Sequence, residues 1–241
     1  MDINVHNTDI LPLSKKASLI LSEIAEKLEA LLYADEVSCL TRNFRKCIAE
    51  IMVRFSEYQN EVLRYSKLKK SCKKGCSYCC CHWVEDVNSF EMDIIADYIK
   101  TNIPEKIEEI IRSCKADIQE LERVDEIVNI KLSKLSGNEK VGIDQVDLLL
   151  SVFYQLERKC PLLASDGSCM IYDIRPITCR IYMNFSDPFL CKPGYINKDN
   201  VVTCLLDLNE KSNNLLDQLH FKYLRFRGDT GLRSLLVKYL E

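Results

Sequence analysis

The sequence predicts a mainly α fold: an irregular helical domain with a small cysteine-rich core that contains a short hairpin. Three observations predict it. Apolar residues recur at helical spacing over most of the chain. Only 7 Gly and 6 Pro interrupt 241 residues, so helix breakers are sparse. Eight of the 13 Cys fall in two short stretches, and the few strand-like patterns lie near the second of them.

Residues 13–68 read as two helices. Leu19, Ile20, Ile24, Leu28, Leu31 and Leu32 form one periodic set, and Phe44, Ile48, Ile51, Met52, Phe55, Val62 and Leu63 form the next. Cys39 and Cys47 lie eight apart there, near one expected helical face, and read as small buried hydrophobes. Residues 88–136 are helical again, with Ser89 as the expected cap of a helix carrying Phe90, Met92, Ile94, Ile95 and Tyr98. Pro104 suits the first turn of a longer helix through Ile107, Ile110, Ile111, Ile118 and Leu121, in which Cys114 reads as packing. A turn at Ser136-Gly137-Asn138 precedes a helix from Val146 to Leu156, expected to end near Cys160-Pro161 because the residue before proline disfavours helix. The tail from Asn209 to Glu241 reads as one or two helices broken near Gly228-Asp229-Thr230-Gly231. These elements suggest three parts: an N-terminal helical segment over 1–68, a cysteine-cluster domain with inserted helices over 69–205, and a C-terminal helical segment over 206–241.

Composition limits the function. A net charge of −3 argues against a general nucleic-acid or anionic-membrane binder, and no stretch approaches the ~20 apolar residues of a membrane span. The start Met1-Asp2-Ile3-Asn4-Val5-His6-Asn7 lacks a secretory pattern, so a cytoplasmic location is expected, with a protein the expected kind of partner. In a reducing compartment an odd number of cysteines, three of them adjacent at Cys79, Cys80 and Cys81, reads as metal binding or redox chemistry before disulfides.

The first cysteine group runs from Ser71 to His82. Cys76 and Cys79 have the two-residue separation with which a tight turn aims two sulfurs at one metal, and Cys72 precedes Cys76 by four. Gly75 permits an unusual backbone angle beside them. Adjacent Cys79 and Cys80 point apart, which suits two neighbouring sites or different atoms of one cluster. The surrounding Lys67, Lys69, Lys70, Lys73 and Lys74 read as a solvated face, with a positive field favouring thiolate as the functional alternative. Cys81 reads as a spare thiol as readily as a ligand, and His82 would suit zinc better than a plain iron–sulfur cubane.

The second group runs from Cys160-Pro161 to Cys179-Arg180. Asp166-Gly167 reads as a hairpin turn bringing Cys160 near Cys169. Arg175-Pro176 reads as the start of a short helix whose N-terminal end would stabilise a Cys179 thiolate, with Arg175 and Arg180 as flanking cations. Downstream, Cys191 before Lys192-Pro193-Gly194 is the favoured eighth ligand over Cys204, which lies in an apolar run and reads as buried.

With both groups in view, the chain resembles the CxxCxxCC (YkgJ-type) cysteine-cluster family, a zinc- or iron-chelating domain. The residues that carry the likeness are Cys72, Gly75, Cys76, Cys79 and Cys80, then Cys160-Pro161, Cys169, Ile171-Tyr172, Arg175-Pro176 and Cys179-Arg180, over about residues 70–205. The resemblance implies a metal-binding module, with a distant relation to flagellin lysine N-methylases, although no glycine-rich methyl-donor fingerprint occurs here. The expected metal ligands are Cys72, Cys76, Cys79, Cys80, Cys160, Cys169, Cys179 and Cys191, which would fit two four-thiolate sites, and one cluster with structural thiols is the competing arrangement. The expected cofactor is an iron–sulfur cluster such as 4Fe-4S, with zinc the alternative. Three roles stay open: a redox, sensing or scaffold metal module, a lysine N-methylase-like enzyme, and a structural zinc domain for protein–protein interaction. No catalytic residue is assigned.

Overall fold

A computed structural model describes residues 11–35, 38–134, 144–195, 202–228 and 231–241. The expected turn at Ser136-Gly137-Asn138, the Asp229-Thr230 part of the expected break and the first seven residues lie outside them. Among the described residues the chain is helical: α1 Lys15–Tyr33, α2 Arg42–Tyr65, α3 Ser89–Asn102, α4 Ile107–Ser133, α5 Gln145–Gln155, the single turn α6 Thr178–Ile181, α7 Glu210–Lys222 and α8 Leu232–Leu240. Two three-residue strands, β1 Tyr182–Asn184 and β2 Thr203–Leu205, pair antiparallel with Met183 opposite Cys204. None of these helices is long and apolar enough to cross a membrane.

Local chemistry explains where the helices begin. Ser14 and Thr41 cap α1 and α2 by accepting the amides of Ala17 and Phe44. The buried stripe of α1 is Ala17, Ile20, Leu21, Ile24, Ala25, Leu28 and Leu31, a continuous face at three- and four-residue steps. Leu19 is not on it: this residue is 60% exposed, because the helix turns it away from α2 and α7. Helix α3 is capped by Asn88, one residue before the expected Ser89, with the Glu91 carboxylate accepting from the Asn88 backbone. Pro104 opens a short 3-10 turn, Pro104–Lys106, that leads into α4.

Three further expectations need correction. Cys39 is buried but lies in the turn before α2, so it shares no helical face with Cys47. Helix α5 stops at Gln155, well before Cys160-Pro161, and Glu157 follows in the left-handed region at φ 52. That reversal lets Arg158 reach Asp117 on α4 and lets the Cys160 amide meet the Cys80 carbonyl at 2.8 Å. The Arg175-Pro176 pair lies ahead of α6 rather than in its first turn, and α6 is only four residues long.

Two hydrophobic cores flank the cysteine-rich region. One joins α1, α2 and α7 with Phe90, Ile177, Met183 and Leu206. The other joins α3, α4 and α8 with Leu162 and Ile171, which come from the second cysteine stretch. The second cysteine stretch is thus anchored to both cores by its apolar residues.

A buried ion pair ties the second core to the cysteines. Arg233 on α8 is 1% exposed and donates from Nε to Asp117 Oδ2 at 2.8 Å. Its other nitrogens reach the carbonyls of His82 at 2.9 Å and Arg158 at 3.3 Å, and its guanidinium lies over the Trp83 and Phe153 rings. Removing one partner of such a pair strands the other charge in a dry interior. Asp117→Ala is therefore expected to lower unfolding free energy by about 3–5 kcal/mol in urea titrations followed by circular dichroism. An unchanged midpoint would show that water or another carboxylate already satisfies Arg233.

Candidate metal centre

The first cysteine stretch is a chain of tight turns. Gly75 takes φ 89, a left-handed value that a side chain would strain, and the Cys76 amide closes the turn onto Lys73 at 3.0 Å. Tyr78–Cys81 then forms one 3-10 turn, with the Cys80 amide bonded to the Ser77 carbonyl. At its head, both the amide and the hydroxyl of Ser71 donate to the Asn184 carbonyl, and the Asn184 amide donates to the Cys72 sulfur at 3.3 Å. Cys72 is therefore positioned by β1, a strand more than a hundred residues away in sequence.

The second stretch is held by other struts. The expected Asp166-Gly167 turn is present, with Gly167 at φ 81 and a single antiparallel bridge between Leu163 and Cys169. The amides of Leu162 and Ile171 donate to the sulfurs of Cys160 and Cys169. Glu91 Oε1, on α3, accepts the Ile177 amide at 2.8 Å and so fixes the start of the turn that carries Cys179. Gln59, on α2, donates to the carbonyls of Arg180 at 3.1 Å and Leu206 at 2.9 Å. Cys191 closes a 3-10 turn, Pro188–Cys191; its carbonyl accepts the Tyr154 hydroxyl and its sulfur accepts the Tyr182 hydroxyl.

These struts bring the expected ligand cysteines into two overlapping neighbourhoods. The charges of Cys160 and Cys179 act on Cys80, and that of Cys169 acts on Cys160 and Cys179; the charge of Cys76 acts on Cys72 and Cys191, and that of Cys72 on Cys191. Cys79 belongs to both, since its charge raises the thiols of Cys72, Cys80, Cys179 and Cys191. Contrary to the expectation that they point apart, the side chains of Cys79 and Cys80 interact with each other as a hydrogen-bonded pair, which pulls Cys79 below and pushes Cys80 above the ordinary thiol range. Six of the eight cysteines (Cys76, Cys79, Cys80, Cys160, Cys169 and Cys179) line one cavity of about 420 Å³. Among the described residues no three His, Cys, Asp or Glu side chains meet at the spacing of a single ion.

Burial dominates the electrostatics. Desolvation raises the thiols of Cys72, Cys160, Cys169, Cys179 and Cys191, the last to about 12. The expected helix-end stabilisation of Cys179 is not what governs it: α6 is one turn long, and burial followed by the charges of Cys160 and Cys79 pushes Cys179 up. The charge of Arg175 opposes this at Cys79, Cys169 and Cys179.

Of the remaining candidates, His82 lines the cavity and the cysteines do not. Cys81 is buried, and after desolvation its largest electrostatic influences are Glu157, Arg233 and Lys159 rather than thiols. His82 lines the cavity with its ring stacked on Tyr154, centroids 3.7 Å apart, and burial lowers its pKa to about 4. Cys204 is 3% exposed in β2, and burial raises its thiol. Cys39 donates to Asp93 Oδ2 at 3.1 Å, and Cys114 is fully buried in α4. The five lysines around the first group are all exposed. Sequence reasoning missed the positioning residues Asp117, Arg233, Gln59, Glu91, Asn184 and Tyr182. Only their type, polar residues within apolar runs, marked some of them.

A thiol-dominated donor set held between two helical cores defines a cysteine-cluster chelating module. A family model confirms it: the chain belongs to the CxxCxxCC family, described as "Putative zinc- or iron-chelating domain", which matches residues 71–204. No curated protein and no solved structure matches the chain. The residues present fit such a metal. Soft thiols supply the donors, backbone amides donate to three of their sulfurs, and two buried polar atoms on the cavity wall, Arg175 Nε and Thr178 Oγ1, have no hydrogen-bond partner.

Single alanine substitutions should sort the cysteines. Metal per protein is expected to fall sharply for Cys72, Cys76, Cys79, Cys80, Cys160, Cys169, Cys179 and Cys191. Cys39→Ala, Cys47→Ala and Cys204→Ala should keep full metal content and cost about 1 kcal/mol each. Loss of metal in these three, with native circular dichroism, would redraw the ligand set. A chelator should speed hydrogen exchange over 70–85 and 160–192 while the flanking helices keep their protection.

Proposed function

We propose that the chain is an iron–sulfur protein whose centre is held only by cysteine and serves electron transfer or redox sensing. The observation that carries this reading is the cavity of about 420 Å³ with six cysteines in its lining. A tetrahedral zinc site takes four donors at ~2.0–2.3 Å from one point, and the six cysteines on this cavity exceed that number. A cluster presents several metal atoms to ligands that stand further apart, which also gives adjacent Cys79 and Cys80 separate partners.

We assign the eight thiols to two sets of four, Cys72, Cys76, Cys79 and Cys191, and Cys80, Cys160, Cys169 and Cys179, with Cys79 acting on members of both. Each set joins a turn of the first stretch to a later segment, so a bound centre would lock the two stretches together. Such a centre supplies one-electron chemistry. The protein's own residues hold the thiols, shield them from water and place cations beside them.

Anaerobically purified protein is expected to be brown, to contain iron and acid-labile sulfide, and to show visible charge-transfer absorption that bleaches on reduction. Colourless protein with stoichiometric zinc and no sulfide, unchanged after cluster reconstitution, would overturn the iron–sulfur reading in favour of a structural zinc domain.

A further inference from the structure

We propose that Arg175 and Thr178 donate hydrogen bonds to the thiolate-held centre and that the Arg175 charge raises its reduction potential. The inference rests on the iron–sulfur reading and concerns residues that are not ligands.

The geometry comes first. Among the described residues four buried side-chain nitrogen or oxygen atoms have no hydrogen-bond partner, and two of them, Arg175 Nε and Thr178 Oγ1, belong to residues on the wall of the cysteine cavity. Buried donors are nearly always paired in native proteins, so two orphans on one wall point to an acceptor inside the cavity. The cavity is lined by Glu85 and Asp86 as well as by six cysteines. The thiols on which the Arg175 charge acts are Cys79, Cys169 and Cys179, and sulfur carries the negative charge of a thiolate–metal centre.

The side chains are braced for this task. The Arg180 guanidinium donates to the carbonyls of Arg175 at 3.0 Å and Asp173 at 2.7 Å, which fixes the backbone ahead of Pro176. The Arg175 guanidinium lies over the Tyr172 ring at 4.3 Å, a contact that orients its plane and leaves Nε for another partner. Its charge reaches the thiols of Cys79, Cys169 and Cys179, which span both proposed ligand sets. Thr178 immediately precedes Cys179 and follows Arg175 by three residues, so one short segment presents the cation, the hydroxyl and a ligand together.

The effect on potential follows from charge. Taking up one electron adds one negative charge at the centre. A fixed cation and N–H or O–H donors to sulfur stabilise that charge more in the reduced than in the oxidised state, so they raise the potential.

The test is a mediated redox titration of the full chain, with iron and sulfide measured on every sample. R175M is expected to lower the midpoint by at least a tenfold shift in the reduction equilibrium, about 59 mV for one electron. R175K, which keeps the charge and loses Nε, should fall between R175M and the parent. T178V should lower the midpoint by a smaller amount, and T178S should restore it. If R175M fails to assemble, R175K and the isosteric T178V decide. Parent potential in iron-loaded R175M, or in both R175K and T178V, overturns the proposal while leaving the iron–sulfur reading standing. A parent protein with zinc and no sulfide overturns both.

Discussion

The arrangement of the cysteine stretches depends on one buried ion pair, Arg233 with Asp117. Arg233 is the largest fully buried side chain among the described residues, and its donors reach helix α4, the Arg158 carbonyl and the His82 carbonyl at once. His82 ends the first cysteine stretch, and Arg158 lies two residues before the second. A charge in an apolar interior is tolerated only where its donors are met, so the positions of both stretches are coupled to the seat of α8. That seat is tight. A Cβ at Gly231 would stand 3.1 Å from Trp83 Nε1, and the Leu232 amide bonds the Val84 carbonyl at 2.9 Å. The C-terminal helix is thus a structural part of the metal region, although the family match ends at residue 204.

Around this anchor the protein uses polar struts on rigid helices rather than a sheet to hold irregular chain. Gln59 on α2 and Glu91 on α3 each send a side chain into the cysteine-rich region and hold the turn that carries Cys179 from two sides. Burial pushes the Glu91 carboxyl up, and the amide of Ile177 and the groups of Asn88 offset part of that penalty. Loops without regular structure leave many backbone groups to satisfy, and side-chain struts meet that need where a ladder cannot form. The two-stranded sheet is short, yet its Asn184 serves the first stretch through its carbonyl and the Cys72 sulfur through its amide.

The same burial sets a chemical tension at the sulfurs. Desolvation and mutual repulsion push Cys160, Cys179 and Cys191 upward, which favours the protonated thiol. A bound cation removes that penalty by taking the place of the protons, so metal binding and ordering of the region are linked. Amides on the sulfurs of Cys72, Cys160 and Cys169 and the charge of Arg175 act in the same direction as the metal. These contacts favour anionic sulfur, while burial and the mutual repulsion of the thiols oppose it.

The sequence by itself determined the helical class, the cysteine grouping and the family. Helical periodicity is a local signal, so α1, α2, α3 and α4 were legible from the spacing of residues such as Ile20, Ile24 and Leu28 or Phe44, Ile48 and Ile51. The turn at Asp166-Gly167 was legible for the same reason, because its residue types act on neighbouring backbone. Ends were less secure: Asn88 replaced Ser89 as a cap, and α5 stopped at Gln155 where contacts of Arg158 and Cys160 overrode the proline rule. Only the tertiary structure decided that Asp117 would meet Arg233 across 116 residues, that Asn184 would serve Cys72, and that Cys79 would stand between two groups of thiols. Such contacts are selected by the joint packing of distant elements, and a one-dimensional pattern carries no record of which polar residue will find which partner.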